Sequence, residues 1–353
     1  MSTFSSIPIR TDHKDLIQDI AFDFYGKRVA TASLDQSVRI WNINENNEWV
    51  FKEELRINPG LQKVAWAHPE FGSLLAVAFD RIVWIYEETC FSNGRNGWIK
   101  RIAIHDSRLA ITDLKFAPKY LGLQLVICTQ SGEVRIYECN DIINSNVWNK
   151  VHPDLKSNMS SCSSCSWSTC FNLPILLALG SDETNPTSDK LVIFEHNENT
   201  RQYTRIEKPQ ICLDSIRSLA FAPSVGKLYH TLAIASKSLL ICTIKSMPKE
   251  PHRYQFTTTN LDSDASVWRV CWNTVGSILA SAGDDRKVKL WKSNFSGWSC
   301  FAEITGESCS LLADQNINLS CMLNLYKDQN QQQQHQKNQI QFKTQTSIHT
   351  KQK

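Results

Sequence analysis

Two constellations in the 353-residue chain have the residue types and spacing for chemistry. His13, Ser33 and Asp35 offer a base, a hydroxyl and a carboxylate, the components of a nucleophilic triad. They are followed by Trp41, an indole that supplies a buried N–H donor and no nucleophile, so the four residues equally suit a structural hydrogen-bond chain. That structural role is the one expected. Cys162-x2-Cys165, with Cys170 nearby, has the spacing of half a zinc site, but no second Cys or His pair lies at matching spacing, and a structural site needs four ligands. These thiols are expected to be buried and metal-free, with no catalytic, cofactor or metal site in the chain. Gly-Lys-Ser/Thr phosphate loops, His-Glu-x-x-His and Gly-x-Ser-x-Gly are absent from the sequence.

The elements that position these residues repeat. Ser266 to Ile304, the clearest copy, reads as four short strands: one at Val267, Val270 and Trp272, a continuous apolar run Ile278 to Ala282, one at Val288, Leu290 and Trp291, and one from Trp298 to Ile304. Turn residues separate them, Asn273 and Gly276, Gly283-Asp284-Asp285, then Ser293-Asn294 and Gly297. Third strands end at Trp41, Tyr86, Tyr137, Phe194, Cys242 and Trp291, spaced by 45 to 57 residues. That interval is slightly longer than the roughly 40 to 45 of WD repeats. An aromatic marks the start of each fourth, outer strand: Trp49, Trp98, Trp148, Tyr203, Tyr254 and Trp298. The fourth copy carries a polar insertion, Asp182 to Asp189, where the others turn tightly. Six copies predict an all-β, WD-repeat β-propeller of six blades over residues 1–306. In such repeats a hydrogen-bond chain at the positions of His13, Ser33, Asp35 and Trp41 ties the outer loop of a blade to its inner turns.

Composition limits the alternatives. The chain is 42% hydrophobic and its apolar runs, such as Leu173 to Leu179, fall far short of a membrane span. The N-terminus lacks the apolar core of a signal peptide, so the twelve cysteines point to a reducing compartment, nuclear or cytosolic. Residues 307–353 form a Gln-rich tail with the run Gln331 to Gln334; from Lys327 to the end, five lysines and one Asp give a net +4. It is expected to be disordered. The total of +3 leaves the residues before Lys327 near −1, a poor surface for phosphate neutralisation, so no direct, specific nucleic-acid binding is expected.

Strand counting raises one further expectation. The sixth copy has its own outer strand, so the N-terminal segment at about 6–11, with Ile7 and Ile9, is surplus to six blades. It would sit as the outer strand of a seventh blade whose inner strands a partner supplies, by strand addition at an open edge. The edge is expected at Leu16, Ile20 and Phe22 of blade 1 and at Val267, Val270 and Trp272 of blade 6.

The motifs VAWAHPEFG (Val64 to Gly72), DLIQD near the start and FDFYGKRVAT (Phe22 to Thr31) resemble the small family of six-bladed propellers that serve nuclear pore scaffolds and the COPII vesicle coat. KFAPKYLGLQL (Lys115 to Leu125), EHNENTRQY (Glu195 to Tyr203) and SVWRVCWNTVGSILASAGDD (Ser266 to Asp285) resemble its SEH-type (Sec-thirteen homologue) nucleoporin branch. The resemblance covers roughly residues 10 to 304. It implies a non-enzymatic scaffold of the Y-shaped nuclear pore subcomplex that takes a blade in trans from an α-helical-stack nucleoporin and meets other Y-complex nucleoporins. It implies also a place in the GATOR complex of amino-acid and TOR signalling, at the lysosomal surface. The alternatives are a COPII coat subunit at the endoplasmic reticulum and, more distantly, a propeller hydrolase.

Overall fold

A computed structural model describes residues 9–305, apart from short breaks at 58–59, 61, 93, 95, 106–107, 142–144, 152–154, 171, 186, 207–210, 212–213, 224–225, 248–252, 263 and 295–296. Its strands are all antiparallel and fall into six sheets of four, each built from consecutive strands. Blade 1 comprises β1 (Ile17–Phe22), β2 (Arg28–Ser33), β3 (Ser37–Ile43) and β4 (Trp49–Arg56). Blade 2 comprises β5 (Gln62–Trp66), β6 (Leu74–Phe79), β7 (Ile82–Cys90) and β8 (Asn96–Ile104). Blade 3 has β9 (Ile111–Phe116), β10 (Gln124–Thr129), β11 (Val134–Glu138) and a short β12 (Asn149–Lys150). Blade 4 has β13 (Ser164–Trp167), β14 (Leu176–Gly180), β15 (Leu191–Asn197) and β16 (Gln202–Arg205). Blade 5 has β17 (Ser218–Phe221), β18 (His230–Ala235), β19 (Leu239–Ser246) and β20 (Tyr254–Asp262). Blade 6 has β21 (Val267–Trp272), β22 (Ile278–Gly283), β23 (Lys287–Asn294) and β24 (Gly297–Thr305). The arrangement is a six-bladed WD-repeat propeller.

Local sequence explains each blade. The second strands lie in the middle of the stack and are apolar on both faces; β6, β10, β14 and β18 are buried along their whole length. Tight turns join the first and second strands of blades 1 and 6, and a single turn of 3-10 helix lies in the same connection of blades 2 and 3. In blade 6 the carboxamide oxygen of Asn273 accepts from Ser277 N and Ile278 N, and Gly276 N donates to Asn273 O. Gly276 sits at φ +67°, and a Cβ there would meet Pro223 O at 2.2 Å, so this turn requires glycine. Strand pleating then sends alternate residues to the blades before and after. Indoles stitch neighbouring inner strands: Trp66 Nε1 donates to Ala21 O at 3.0 Å and Trp272 Nε1 to Ala220 O at 2.9 Å.

Inner strands pack in chain order, β1 on β5, β5 on β9, β9 on β13, β13 on β17 and β17 on β21. Five apolar clusters fill the five spaces between consecutive blades. The sixth space, between blades 6 and 1, is built differently. Two smaller clusters line it without joining, β21 and β1 do not pack in the manner of the other inner strands, and every residue of β1 is only half-buried. Of the N-terminal segment expected as a strand, residues 6–8, with Ile7, lie outside the described residues, as does the 307–353 tail; Ile9–Thr11 run without strand pairing.

Candidate functional site

The candidate site is this sixth space. Its blade 1 wall is made by Ile20, Phe22, Val29, Trp41 and Trp49, with Ile9 buried against them; the rings of Phe22 and Trp49 meet edge to face at 6.1 Å. Its blade 6 wall is made by Ile278, Ala280, Ala282, Val288, Leu290, Ala302 and Ile304. Ile20 and Phe22 point into the space because they alternate with Asp19 and Ala21, which are turned to blade 2. Leu16, 56% exposed, stands at the rim.

On blade 6 the structure corrects the expected edge. Val267, Val270 and Trp272 are buried against blade 5, in one cluster with Ala222, Ala233 and Ile241. The strand passes the space, but its pleat turns Val270 and Trp272 to blade 5 and Arg269 and Cys271 the other way, and the irregularity between Val267 and Arg269 brings Val267 to the blade 5 side as well. The apolar wall comes instead from β22, β23 and β24. Ile278, Ala280 and Ala282 alternate along β22 with Leu279, which faces blade 5. That alternation inside an unbroken apolar run was the available signal.

The central cavity, about 530 Å³, shows the same opening. It is lined by all six inner strands, but also by Ala280, Ser281, Ala282 and Val288 from deeper in blade 6. Charged residues mark its wall. Asp19 accepts from Val64 N at 3.1 Å and has Lys63 Nζ at 3.8 Å. Arg269 Nη2 reaches across the open side to Asp19 Oδ1 at 3.6 Å. Burial pushes the Asp19 carboxyl up, but the charges of Lys63, Arg269 and Lys115 together outweigh it and hold the pKa below the usual carboxylate value.

The His13 set lies on blade 1, beside this wall. Trp41 Nε1 donates to Thr31 Oγ1 at 3.3 Å, Thr31 Oγ1 is 2.9 Å from His13 Nε2, and His13 Nδ1 is 2.9 Å from Asp35 Oδ2. With His13 neutral and its proton on Nδ1, Thr31 Oγ1 donates to Nε2 and Nδ1 donates to Asp35; burial lowers the His13 pKa against the opposing pull of Asp35. Ser33 is not a link between His13 and Trp41. Its hydroxyl donates to Asp15 O and accepts from Asp35 N, bracing the same turn from the side. The connecting hydroxyl is Thr31, which sequence reasoning missed although it faces Arg39 on the strand that carries Trp41. Blade 6 repeats the link in reduced form, Trp291 Nε1 to Ser281 Oγ at 2.9 Å.

Cys162 and Cys165 are buried between blades 3 and 4 with Cys128, and Cys170 is buried close by. Burial pushes the Cys165 thiol up to about 11. Mutual hydrogen bonding with Cys162 and Cys165, together with burial, raises Cys128 well above the ordinary thiol range. Among the described residues no group of three or more His, Cys, Asp and Glu is placed to hold a metal ion, and no helix is long and apolar enough to cross a membrane.

Comparison with known proteins follows the same geometry. The model of the family "WD domain, G-beta repeat" matches residues 6–42 and 255–292, the copies that flank the open side. Nucleoporin SEH1 of Homo sapiens is 41% identical over 323 residues, covering 86% of this chain and 89% of that protein. Nucleoporin SEH1 of Xenopus tropicalis is 40% identical over 324 residues, covering 86% and 89%; that of Danio rerio is 39% identical over 323 residues, covering 86% and 88%. With identity at this level along most of both chains, and a six-bladed propeller behind it, the chain belongs to the SEH1 nucleoporin family of WD-repeat proteins.

Proposed function

We propose that the chain is a non-catalytic scaffold subunit of the nuclear pore, in its Y-shaped subcomplex, and that its open side receives a blade in trans from an α-helical-stack nucleoporin. The observation that carries this reading is the pair of apolar walls on blades 1 and 6, which among the described residues form two separate clusters while one shared cluster fills each of the other interblade spaces. Soluble propellers do not leave such faces to water without a use for them. A three-stranded insert would cover both walls, and the N-terminal segment around Ile7 and Ile9 would complete it as the outer strand. An interface of this kind exceeds the roughly 1,600 Å² of a standard complex and makes the pairing close to obligate.

Through other Y-complex nucleoporins the scaffold would support pore assembly and the transport of protein and mRNA at the nuclear envelope. A second pool would join GATOR complex subunits in amino-acid and TOR signalling at the lysosomal surface. The nucleoporin names of the relatives at about 40% identity support the pore over a COPII coat role. The test is affinity purification of the full chain with identification of the stoichiometric co-purifying proteins, beside the Ile20→Asp and Phe22→Asp variants. A helical-stack nucleoporin is expected with the parent and lost from both variants. Recovery of endoplasmic-reticulum coat subunits alone, or equal capture by parent and variants, would overturn the proposal.

A further inference from the structure

The inner strands are aligned by their cross-strand partners. Asp19 faces Ala32, Lys63 faces Ala78, Asp113 faces Cys128, Ser164 faces Gly180, Ser218 faces Ala235 and Arg269 faces Ala282, so these six residues occupy one level of the ring. At this level a side chain reaches toward the next blade. Asp19 accepts Val64 N, and Asp113 accepts Cys165 N at 2.9 Å, each a carboxylate receiving the backbone N–H of the following inner strand. Arg269 holds the same position on blade 6, where the following blade is the missing one. A guanidinium has five donors and no acceptor, so it cannot receive an incoming N–H. It needs an acceptor brought to it.

Charge decides which acceptor. Lys63, Lys115 and Arg269 stand against Asp19 and Asp113 around the cavity, an excess of one cation among these residues. Arg269 now rests on Asp19 at the long distance of 3.6 Å, with its side chain 43% exposed to water. An inserted strand would expel that water, leaving a buried guanidinium with half a partner. Asp19 keeps Lys63 and Val64 N as partners when Arg269 leaves it.

We infer that the inner strand of the inserted blade carries a carboxylate on its face toward blade 6, and that this carboxylate takes Arg269 from Asp19 as the ring closes. The inference rests on the trans-blade reading and names the chemistry by which that blade is selected. The apolar walls supply area, whereas Arg269 fixes the identity and register of the strand that enters.

The experiment measures the affinity of the full chain for the helical-stack nucleoporin that co-purifies with it, using Arg269→Gln, Arg269→Glu and, on the opposite wall, Ile20→Asp. Thermal melts of each free variant control for folding. Arg269→Glu is expected to weaken binding by about 100-fold, as for loss of a buried charge pair. Changing one Asp or Glu of the inserted strands to Arg is expected to restore at least about tenfold of this. If Arg269→Glu does not fold, the same pairing is read as a coupling between Arg269→Gln and neutralisation of that carboxylate. Parent-like binding of the Arg269 variants, or no rescue by any carboxylate exchange, overturns the inference. If Ile20→Asp abolishes binding while the Arg269 variants do not, only the carboxylate is wrong; if all are silent, blade insertion falls with it.

Discussion

Asp35 accepts from Lys14 N, Ser37 N, Ser37 Oγ and His13, so one carboxylate holds the approach to β1 against the turn between β2 and β3. Burial alone would raise its pKa, and these hydrogen bonds lower it below the ordinary carboxylate range. Asp35→Ala strips a partner from buried donors and is expected to cost about 1 to 3 kcal/mol. Denaturant midpoints of the free chain measure this, and a midpoint equal to the parent's would show that the network contributes nothing. His230 makes a second prediction at this scale. It is buried on β18, and desolvation, against the weaker pull of the Pro174 carbonyl, pushes its pKa down from 6.5 to about 4. The unfolded chain therefore binds the proton first on acidification. Stability from neutral His230 is complete above pH 6.5 and declines as the pH falls toward 4, by about 3 kcal/mol over that window. Replacing it by Leu should flatten the slope of unfolding free energy between pH 7 and pH 4. Parallel slopes for variant and parent would remove His230 as the cause.

At the scale of the element, most of the fold was legible because the blade is a local object. A third-strand terminus and an outer-strand aromatic recur in every copy, and Trp41, Tyr86 and Trp291 do sit opposite the same second-strand position, at Val29, Leu75 and Leu279. What could not be read is which blade each face of a strand meets. Val267, Val270 and Trp272 show the alternation of a half-buried strand, but the pattern is symmetric between a wall on blade 5 and a wall on the open side. The position along the inner strand decides it: Val270 and Trp272 face the preceding blade, as Val64 and Trp66 do at the equivalent positions of β5, and the shift between Val267 and Arg269 brings Val267 to the same side. Ile20 and Phe22 pack with Val29 and Trp41 on the face of β1 away from blade 2, alternating with Asp19 and Ala21. Thr31 was hidden for a different reason. A β-branched residue in an alternating strand is expected for packing alone, and its hydroxyl acquires a role only when His13 and Trp41 are brought to it from 18 residues before and 10 after.

Across the whole molecule, the ring's stability is unevenly distributed, and the unevenness coincides with the proposed function. Blades 2 to 5 have a neighbour on each face, and their second strands are fully buried. Blades 1 and 6 have one packed face each; β1 is half-buried throughout and β22 is partly exposed at Ile278, Ala282 and Gly283. Local opening costs less where fewer apolar contacts must be broken. Backbone amides of β1 and β22 in the free chain are therefore expected to exchange hydrogen faster than those of β9 and β10. The ion pair of Arg269 with Asp19 spans the open side but is too long and too exposed to compensate for a missing wall. On binding of the helical-stack partner, protection should rise in β1, β21 and β22 and stay nearly constant in blades 3 and 4. Hydrogen exchange by mass spectrometry on the free chain and the complex resolves these strands separately. Uniform protection across all six blades before the partner is added would mean that the sixth space is closed by the chain itself, and a change centred on blades 3 and 4 would move the docking site to the far side of the ring.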